Sequence, residues 1–242
     1  METVYRDDIK CLDETVQPHL ADASLWLALQ GETLLAPPGL SKSDSTVTIF
    51  DWDDTILCTS LLSTLGFPTE VPGDVKSVMK EIEDQACSLL TEALALGPTY
   101  IVTNAVSGWV QDSAAQHLPG LLPLLSRVTV ISARSAYAYL YPDEPSLWKT
   151  CTFYNLVKGT TLHEFRDVIV VGDSLYEICA GQLLGNLFPD LCVKLVKLQE
   201  NPSPETISQQ LGSLMLCYKL VASNPSSLYW RLDEGSGQEL QL

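Results

Sequence analysis

Short apolar runs alternate along the chain with longer stretches in which apolar residues recur every three or four positions. The short runs predict β-strands at 46–51, 99–103, 128–132, 167–171 and 192–197. The longer stretches predict helices at about 75–93, 107–117, 147–158, 175–184 and 204–220. Most strands are continuously apolar, as in sheets buried on both faces. The alternation predicts a doubly wound (Rossmann-like) α/β domain, with a mainly parallel five-stranded sheet between two layers of helices.

The pattern divides the chain into three parts. The α/β domain covers 46–221, an N-terminal extension covers 1–45, and a C-terminal tail covers 222–242. The extension ends in the linker-like APPGLSKSDS, and its apolar residues around Trp26 predict one helix packed on the domain. We expect the last ten or so residues of the tail to be loose, as chain termini often are.

Charge and cysteine content narrow the class of protein. The chain has 14 Lys and Arg against 30 Asp and Glu, a formal charge of −16, which disfavours binding to nucleic acid or to an anionic membrane. Seven widely spaced cysteines predict reduced thiols in a cytoplasmic protein. No basic and apolar leader opens the sequence, and no apolar run reaches the ~18 residues that cross a bilayer.

Polar residues follow four of the predicted strands directly. In open α/β sheets ligands bind outside the carboxyl ends of the strands, so these residues are expected to share one edge. They are Asp51, Asp53, Thr55, Thr103, Asn104, Ser132, Arg134, Gly172, Asp173, Ser174 and Glu177. Carboxylates beside hydroxyls and a cation suit Mg²⁺ together with a phosphate group.

The acidic stretch TIFDWDDT has two plainer interpretations, a solvated turn and a calcium loop. An EF-hand loop that began at Asp51 would need glycine at its sixth position, where this chain has Ile56. Trp52 lies between two of the acids, and strand alternation directs it away from them, toward the core.

Three motifs in order resemble those of the haloacid dehalogenase (HAD) superfamily of aspartate-nucleophile phosphohydrolases. The first is an apolar strand followed by D-x-D-x-T, matched from Val47 to Thr55. The second is an apolar strand ending in Thr, matched by YIVTN at Thr103, and the last is VIVVGDSLYE, with Asp173 and Glu177. The resemblance covers roughly residues 46–178 and implies a HAD-like catalytic domain.

The family also has a lysine before the last motif, and the chain offers Lys149 and Lys158. Both lie in one predicted helix, with Ser146 as its N-cap and Gly159 as its stop. A crossover helix begins at the carboxyl edge of the sheet, and Lys158 lies nine residues further on, about 13 Å along the axis. The prediction therefore favours Lys149.

The resemblance implies a role for each of these residues. Asp51 would attack phosphorus and form an aspartyl-phosphate, and Asp53 would protonate the leaving alcohol and then activate water. Mg²⁺ would be held by Asp51, Asp173 and the backbone carbonyl of Asp53, with Glu177 orienting it directly or through water. Thr103, the Asn104 amide and Lys149 would bind the phosphoryl group.

Some residues keep a second interpretation. Ser174 and Glu177 also fit a helix capping box, which needs no metal. Arg134 either contacts the substrate or pairs with nearby acids. Lys149 is either the lysine of the family motif or an ordinary surface residue of its helix. Asp54 lies outside the family pattern.

The spacing of the motifs leaves no room for a large cap domain. After the predicted helix is subtracted, about fifteen residues at 58–72, CTSLLSTLGFPTEVP, remain after the first motif, and we call this segment the flap. Only fourteen residues separate Arg134 from Lys149. In the family, members with such an open site act on phosphoproteins, or on small substrates that another subunit encloses. The 45 N-terminal residues could cover the site instead. Rival functions are a phosphoacceptor module, although receiver domains place their Asp after the third strand, and a catalytically idle scaffold.

Overall fold

The structure is a computed structural model that describes residues 46–159 and 165–232. The predicted N-terminal extension and its helix lie outside the described residues, as does the end of the predicted tail. The strands are β1 (Thr46–Phe50), β2 (Thr99–Thr103), β3 (Thr129–Ser132), β4 (Asp167–Gly172), β5 (Cys192–Lys197) and β6 (Leu228–Arg231). The helices are α1 (Thr59–Thr64), α2 (Gly73–Leu96), α3 (Trp109–His117), α4 (Leu122–Leu125), α5 (Ala133–Tyr137), α6 (Pro145–Gly159), α7 (Leu175–Leu187) and α8 (Pro204–Ser223), with a 3₁₀ turn at Pro119–Leu121.

The strands form one parallel sheet in the order β3-β2-β1-β4-β5-β6. The chain moves outward from β1 to β3, returns to the middle, and then moves outward again from β4 to β6. The order reverses between β1 and β4, where Phe50 is in register with Val171. A crevice opens at such a switch point, outside the carboxyl ends of the two strands.

Both faces of the sheet are covered, as the continuous apolar strands predict. Alternate residues of β1 enter opposite cores: Phe50 packs in the layer that contains α2 and α8, and Ile49 packs in the layer that contains α6 and α7. Trp52 is fully buried in the first layer, and its indole N–H donates to Ser113 at 3.0 Å. The α/β, doubly wound fold class predicted from the sequence is therefore confirmed, and Trp52 has the packing position that alternation predicts.

The sheet has six strands in the described part of the chain, so the predicted number of five is wrong. The additional strand, β6, lies within the segment 222–242 that the sequence analysis assigned to a tail. It pairs with β5 from Lys194–Leu228 to Lys197–Arg231, and Trp230 packs against the core. A four-residue run after SNPSS gives little periodicity, and only its pairing with β5 identifies it as a strand.

The five helices predicted within the α/β domain are all present, and the main differences are at their ends. The helix predicted at 75–93 runs from Gly73 to Leu96, and the face predicted to be apolar is its buried side. The helix that carries Lys149 begins at Pro145, so Ser146 lies inside it rather than at the N-cap. Proline suits the first helical position because it lacks the N–H that would be unsatisfied there.

The connections around the carboxyl edge are short. The flap contains α1 and a loop that leads into α2, and a short loop joins α5 to α6. Neither connection contains a separate cap domain, as the spacing predicts. Across the described residues, no helix combines the length and the apolar character needed to span a bilayer.

Candidate active site

Three carboxylates meet at the switch point between β1 and β4. Asp51 follows the last residue of β1, Asp173 follows β4, and Glu177 lies in the first turn of α7. One carboxylate oxygen from each lies within 4.8 Å of the others, and all three residues are buried. The N–H of Asp51 donates to the carbonyl of Val171 at 2.9 Å, which fixes its backbone to the neighbouring strand. Three of the four acids predicted from the sequence, Asp51, Asp173 and Glu177, are thus brought together.

Lys149 is the cation of this cluster. Its Nζ lies 2.8 Å from Oδ1 of Asp51 and donates to Oε1 of Glu177, and only 2% of its side chain is exposed. Lys158, by contrast, is exposed on the last turn of α6, with Nζ 5.6 Å from the centre of the Tyr154 ring. The structure therefore brings Lys149, and not Lys158, to the carboxylates.

The charges in this cluster are unbalanced. Burial raises the pKa of Asp51 well above its usual value, and the charges of Glu177 and Asp173 add to this effect, against the opposing influence of Lys149. Burial and Glu177 likewise raise the pKa of Asp173 to about 7. Burial lowers the pKa of Lys149, but the two carboxylates beside it outweigh that effect and raise it overall. Three acids around one ammonium group favour the uptake of positive charge.

Glu177 has two contacts that do not exclude each other. Its Oε2 accepts hydrogen bonds from the N–H of Ser174 at 3.0 Å and from its hydroxyl at 2.8 Å, and this completes the predicted capping box of α7. Its Oε1 accepts from Lys149. Gly172 makes room for this arrangement, because a Cβ at that position would lie 2.5 Å from Cγ of Glu177.

Asp53 lies outside the carboxylate trio and is held by side-chain donors. Its Oδ1 accepts from Nε1 of Trp109 and from the hydroxyl of Thr59, each at 2.8 Å. Its Oδ2 accepts from the hydroxyl of Thr103 at 2.9 Å. These three hydrogen bonds orient the carboxylate. The predicted binding of a metal ion by the backbone carbonyl of Asp53 stays a prediction.

The two residues at the end of β2 have different surroundings. The hydroxyl of Thr103 is buried, donates to Asp53 and accepts the N–H of Ala105 at 2.9 Å. The side-chain amide of Asn104 donates to the carbonyl of Pro145 at 3.2 Å, which ties β2 to the start of α6. The other amide atom, Oδ1 of Asn104, is buried without a hydrogen-bond partner. Both residues thus lie at the edge where Lys149 enters.

Arg134 lies on the outer side of this edge. It is exposed in α5, and its guanidinium carbon lies 6.0 Å from the centre of the Trp148 ring, one residue before Lys149. Stacking of this kind is favourable between a guanidinium group and an indole ring. The structure therefore gives Arg134 a packing partner, and its predicted contact with a phosphate stays a prediction.

Asp54, which the motif leaves open, has a local structural role. It adopts φ 54°, and its carboxylate accepts hydrogen bonds from the N–H of Ser60 at 2.9 Å and from the Ser60 hydroxyl. These contacts satisfy a donor at the start of α1, as a capping side chain does. The neighbouring Thr55 is fully buried and donates to Oδ1 of Asp173 at 3.2 Å, which links β1 to β4.

Three residues at the site were not predicted from the sequence. Lys197, the last residue of β5, is buried and donates to the backbone carbonyls of Asp173 and Leu198. The strand-end rule applied to β5 would have identified it. Trp109 and Thr59 belong to α3 and to the flap, so no strand-end rule points to them.

The donor set fits a divalent cation. Oxygen ligands are those that Mg²⁺ prefers, and the three carboxylates carry more negative charge than Lys149 balances. In addition, Oδ1 of Asp51 is buried and accepts no well-aligned hydrogen bond from the described residues, although Lys149 lies beside it. Asp51, Asp173 and Glu177 are therefore the residues that could hold such an ion.

Comparison with known proteins adds no family to this description. Protein-family models, curated proteins and solved structures were searched, and none matched the chain.

Proposed function

We propose that the chain is a HAD-like, Mg²⁺-dependent phosphatase that hydrolyses a phosphate monoester through an aspartyl-phosphate on Asp51. The observation that carries the proposal is the buried cluster at the switch point, in which Asp51, Asp173 and Glu177 converge and Lys149 contacts Asp51 and Glu177. An enzyme that attacks a phosphoryl group must first neutralise its negative charge. A cluster of carboxylates would hold the metal ion that supplies the neutralising charge.

The residues of this chain account for the proposed steps. An oxygen of Asp51 attacks phosphorus, the bond from phosphorus to the ester oxygen breaks, and Asp53 gives a proton to the departing alcohol. Asp53 then takes a proton from water, whose oxygen attacks phosphorus and breaks its bond to Asp51, releasing inorganic phosphate. Lys149 keeps the Asp51 carboxylate oriented and balances its charge.

The metal would be held by Asp51, Asp173 and Glu177. When bound, Mg²⁺ would screen the negative charge of the phosphoryl oxygens. Thr103 and Asn104 lie at the end of β2, where the Thr103 hydroxyl and the backbone N–H of Asn104 would donate hydrogen bonds to these oxygens. The Thr103 hydroxyl would turn from Asp53, to which it donates at 2.9 Å in this structure. The short connections leave the site open to a phosphoprotein or a small substrate.

Hydrolysis of a generic aryl phosphate, with Mg²⁺ or with EDTA, tests the proposal. The wild type should release phosphate only with Mg²⁺, and Asp51→Asn should lower kcat by a factor of about 10³ or more. Asp54→Asn is the matched control, since it keeps the capping of α1 and should stay within about threefold of the wild type. Equal rates of phosphate release by the wild type and Asp51→Asn would exclude Asp51 as the nucleophile. Stable phosphorylation of Asp51 without turnover would indicate the phosphoacceptor function instead.

A further inference from the structure

An aromatic pair lies beside Asp53, on the side where the flap meets α3. The rings of Phe67 and Trp109 are arranged edge to face, with centroids 5.6 Å apart and planes at 89°. Trp109 also donates its indole N–H to Asp53 at 2.8 Å. One member of the aromatic pair is therefore in direct contact with the Asp53 carboxylate.

The backbone holds Phe67 in this place by a C-terminal cap on α1. The N–H of Gly66 donates to the carbonyl of Ser63 at 3.0 Å, and the N–H of Phe67 donates to that of Leu62 at 2.7 Å, a Schellman motif. Gly66 has φ 75° and Phe67 has φ 52°. A phenylalanine in the left-handed region is strained and persists only where its surroundings fix it. Even so, 41% of Phe67 stays exposed.

Further contacts tie the flap to α3 and to Asp53. The hydroxyl of Thr59 donates to Asp53 at 2.8 Å, and the side-chain amide of Gln116 donates to the carbonyl of Pro68 at 3.1 Å. The carbonyl of Val106 accepts the N–H of Trp109 at 3.2 Å, and 54% of Val106 is exposed. Val106 is thus an exposed apolar residue of the turn that leads into α3.

The two segments that form this surface carry no lysine or arginine. The flap, 58–72, has Glu70 as its one charged residue, and the segment 103–117 has Asp112 and a histidine at its end. A second anionic group on the leaving side of a substrate would find no basic side chain in either segment. An uncharged aromatic or aliphatic group would instead bury its surface against the ring of Phe67.

We propose that Phe67 and Trp109 form the leaving-group subsite, and that the substrates are phosphate esters of uncharged aromatic alcohols. The inference rests on the proposed function, in which Asp53 gives its proton to the leaving oxygen and so marks the leaving side. Such a subsite would favour these esters over sugar phosphates and nucleotides, whose leaving groups are polar or charged.

The test compares kcat/KM with Mg²⁺ for benzyl phosphate and for glycerol phosphate, two esters of poorly acidic alcohols. The wild type should prefer benzyl phosphate by about tenfold or more, as expected for a hydrophobic contact of this size. Phe67→Ala should remove the preference by raising KM for benzyl phosphate, with glycerol phosphate changed by about twofold at most. Phe67→Tyr should restore the preference, because the ring is kept.

Leu65→Ala is the matched control, since Leu65 lies in the same flap and is 40% exposed. It should leave the preference unchanged. Trp109→Phe keeps a ring but removes the N–H donor to Asp53, so it should lower kcat for both esters and shift the pH–rate profile while the preference persists. Equal losses for both esters in Phe67→Ala, or a wild-type preference for glycerol phosphate, would overturn the subsite.

A phosphotyrosyl peptide without acidic residues distinguishes a protein source of the aromatic group from a small-molecule source. If it exceeds benzyl phosphate in kcat/KM and Phe67→Ala lowers that value, the subsite accepts a protein side chain. If benzyl phosphate is the better substrate, the aromatic group comes from a small molecule. Both results support the subsite when Phe67→Ala lowers kcat/KM for the better of the two substrates. If Phe67→Ala leaves kcat/KM unchanged for the peptide and for benzyl phosphate alike, the subsite is contradicted.

Calorimetric binding of benzylphosphonate and methylphosphonate separates the subsite from the proposed activity. Tighter binding of benzylphosphonate by about tenfold, lost in Phe67→Ala, supports the subsite even if no ester is hydrolysed, and the proposed function then fails alone. Hydrolysis that depends on Asp51, combined with equal binding of the two phosphonates, contradicts the subsite and leaves the proposed function standing.

Discussion

The three acidic residues at the switch point together carry more buried negative charge than the lysine beside them balances. Asp51, Asp173 and Glu177 share one direct cation, Lys149, and the raised pKa values of the two aspartates reflect this imbalance. A folded group with a raised pKa binds its proton more tightly than the unfolded chain does. In a metal-free state, ionised Asp173 therefore opposes folding, and a bound cation would remove that cost.

Asp173→Asn should consequently stabilise the metal-free protein. The amide keeps an oxygen that can accept from Thr55 and removes one of three like charges, so we expect the free energy of unfolding in EDTA to rise by about 1–3 kcal/mol. Urea denaturation at neutral pH measures the change. Mg²⁺ should then raise the stability of the wild type but not of the variant. Lower stability of Asp173→Asn in EDTA, with an undiminished response to Mg²⁺, would contradict the charge argument.

The strand-end rule explains which site residues are predictable from the sequence. Asp51, Thr103 and Asp173 directly follow apolar runs, so their meeting at one edge follows from a parallel sheet alone. Trp109 and Thr59 reach Asp53 from a helix and from the flap, and their contacts depend on how those elements fold back over the sheet. No periodicity in the sequence describes that packing.

At the scale of elements, the β4–α7 turn depends on a close approach that only glycine allows. A Cβ at position 172 would overlap Cγ and the carboxyl group of Glu177, which caps α7 and contacts Lys149. The turn therefore couples the geometry of the capping box to that of the carboxylate cluster. A methyl group there must displace Glu177, because the strand backbone on the other side is fixed by its pairing with β1 and β5.

Gly172→Ala should destabilise the protein by about 2 kcal/mol, in the range of overpacking in a core. Gly73→Ala is the control, because a Cβ there meets no atom within 4 Å and alanine favours a helix start. It should change stability by less than about 1 kcal/mol. The midpoints of urea denaturation of the two variants measure the difference. Equal stabilities would show that Glu177 moves aside without a cost in free energy.

At the scale of the whole molecule, the sheet extends further than the sequence predicts. The strands β1 to β5 are apolar enough to be predicted singly, whereas β6 has only four residues, of which Leu228 and Trp230 are buried, Tyr229 is half-buried and Arg231 is exposed. The position of β6 follows from β5, which is buried along its entire length. The backbone N–H and C=O groups of a buried strand need hydrogen-bond partners on both of its edges. Long-range pairing of this kind leaves little trace in a local pattern.

Trp230→Ala tests whether β6 belongs to the cooperative fold. Trp230 is buried in the same core as α2 and α8, so its truncation should lower the free energy of unfolding by about 3–5 kcal/mol. Leu216→Ala on α8 is the control, since 79% of Leu216 is exposed and its truncation should cost less than about 0.5 kcal/mol. Thermal denaturation compares the two. A Trp230→Ala variant as stable as the control would place β6 outside the cooperative unit.

Acid quenching during turnover shows whether Asp51 accepts the phosphoryl group. Wild-type protein mixed with an aryl phosphate and Mg²⁺ should, after rapid quenching and digestion, yield a peptide in which Asp51 carries one phosphoryl group. Neutral hydroxylamine should remove that group, and Asp51→Asn should show neither the modified peptide nor turnover. Turnover without a phosphoryl group on Asp51, or undiminished turnover in Asp51→Asn, would contradict the assignment of Asp51 as the nucleophile.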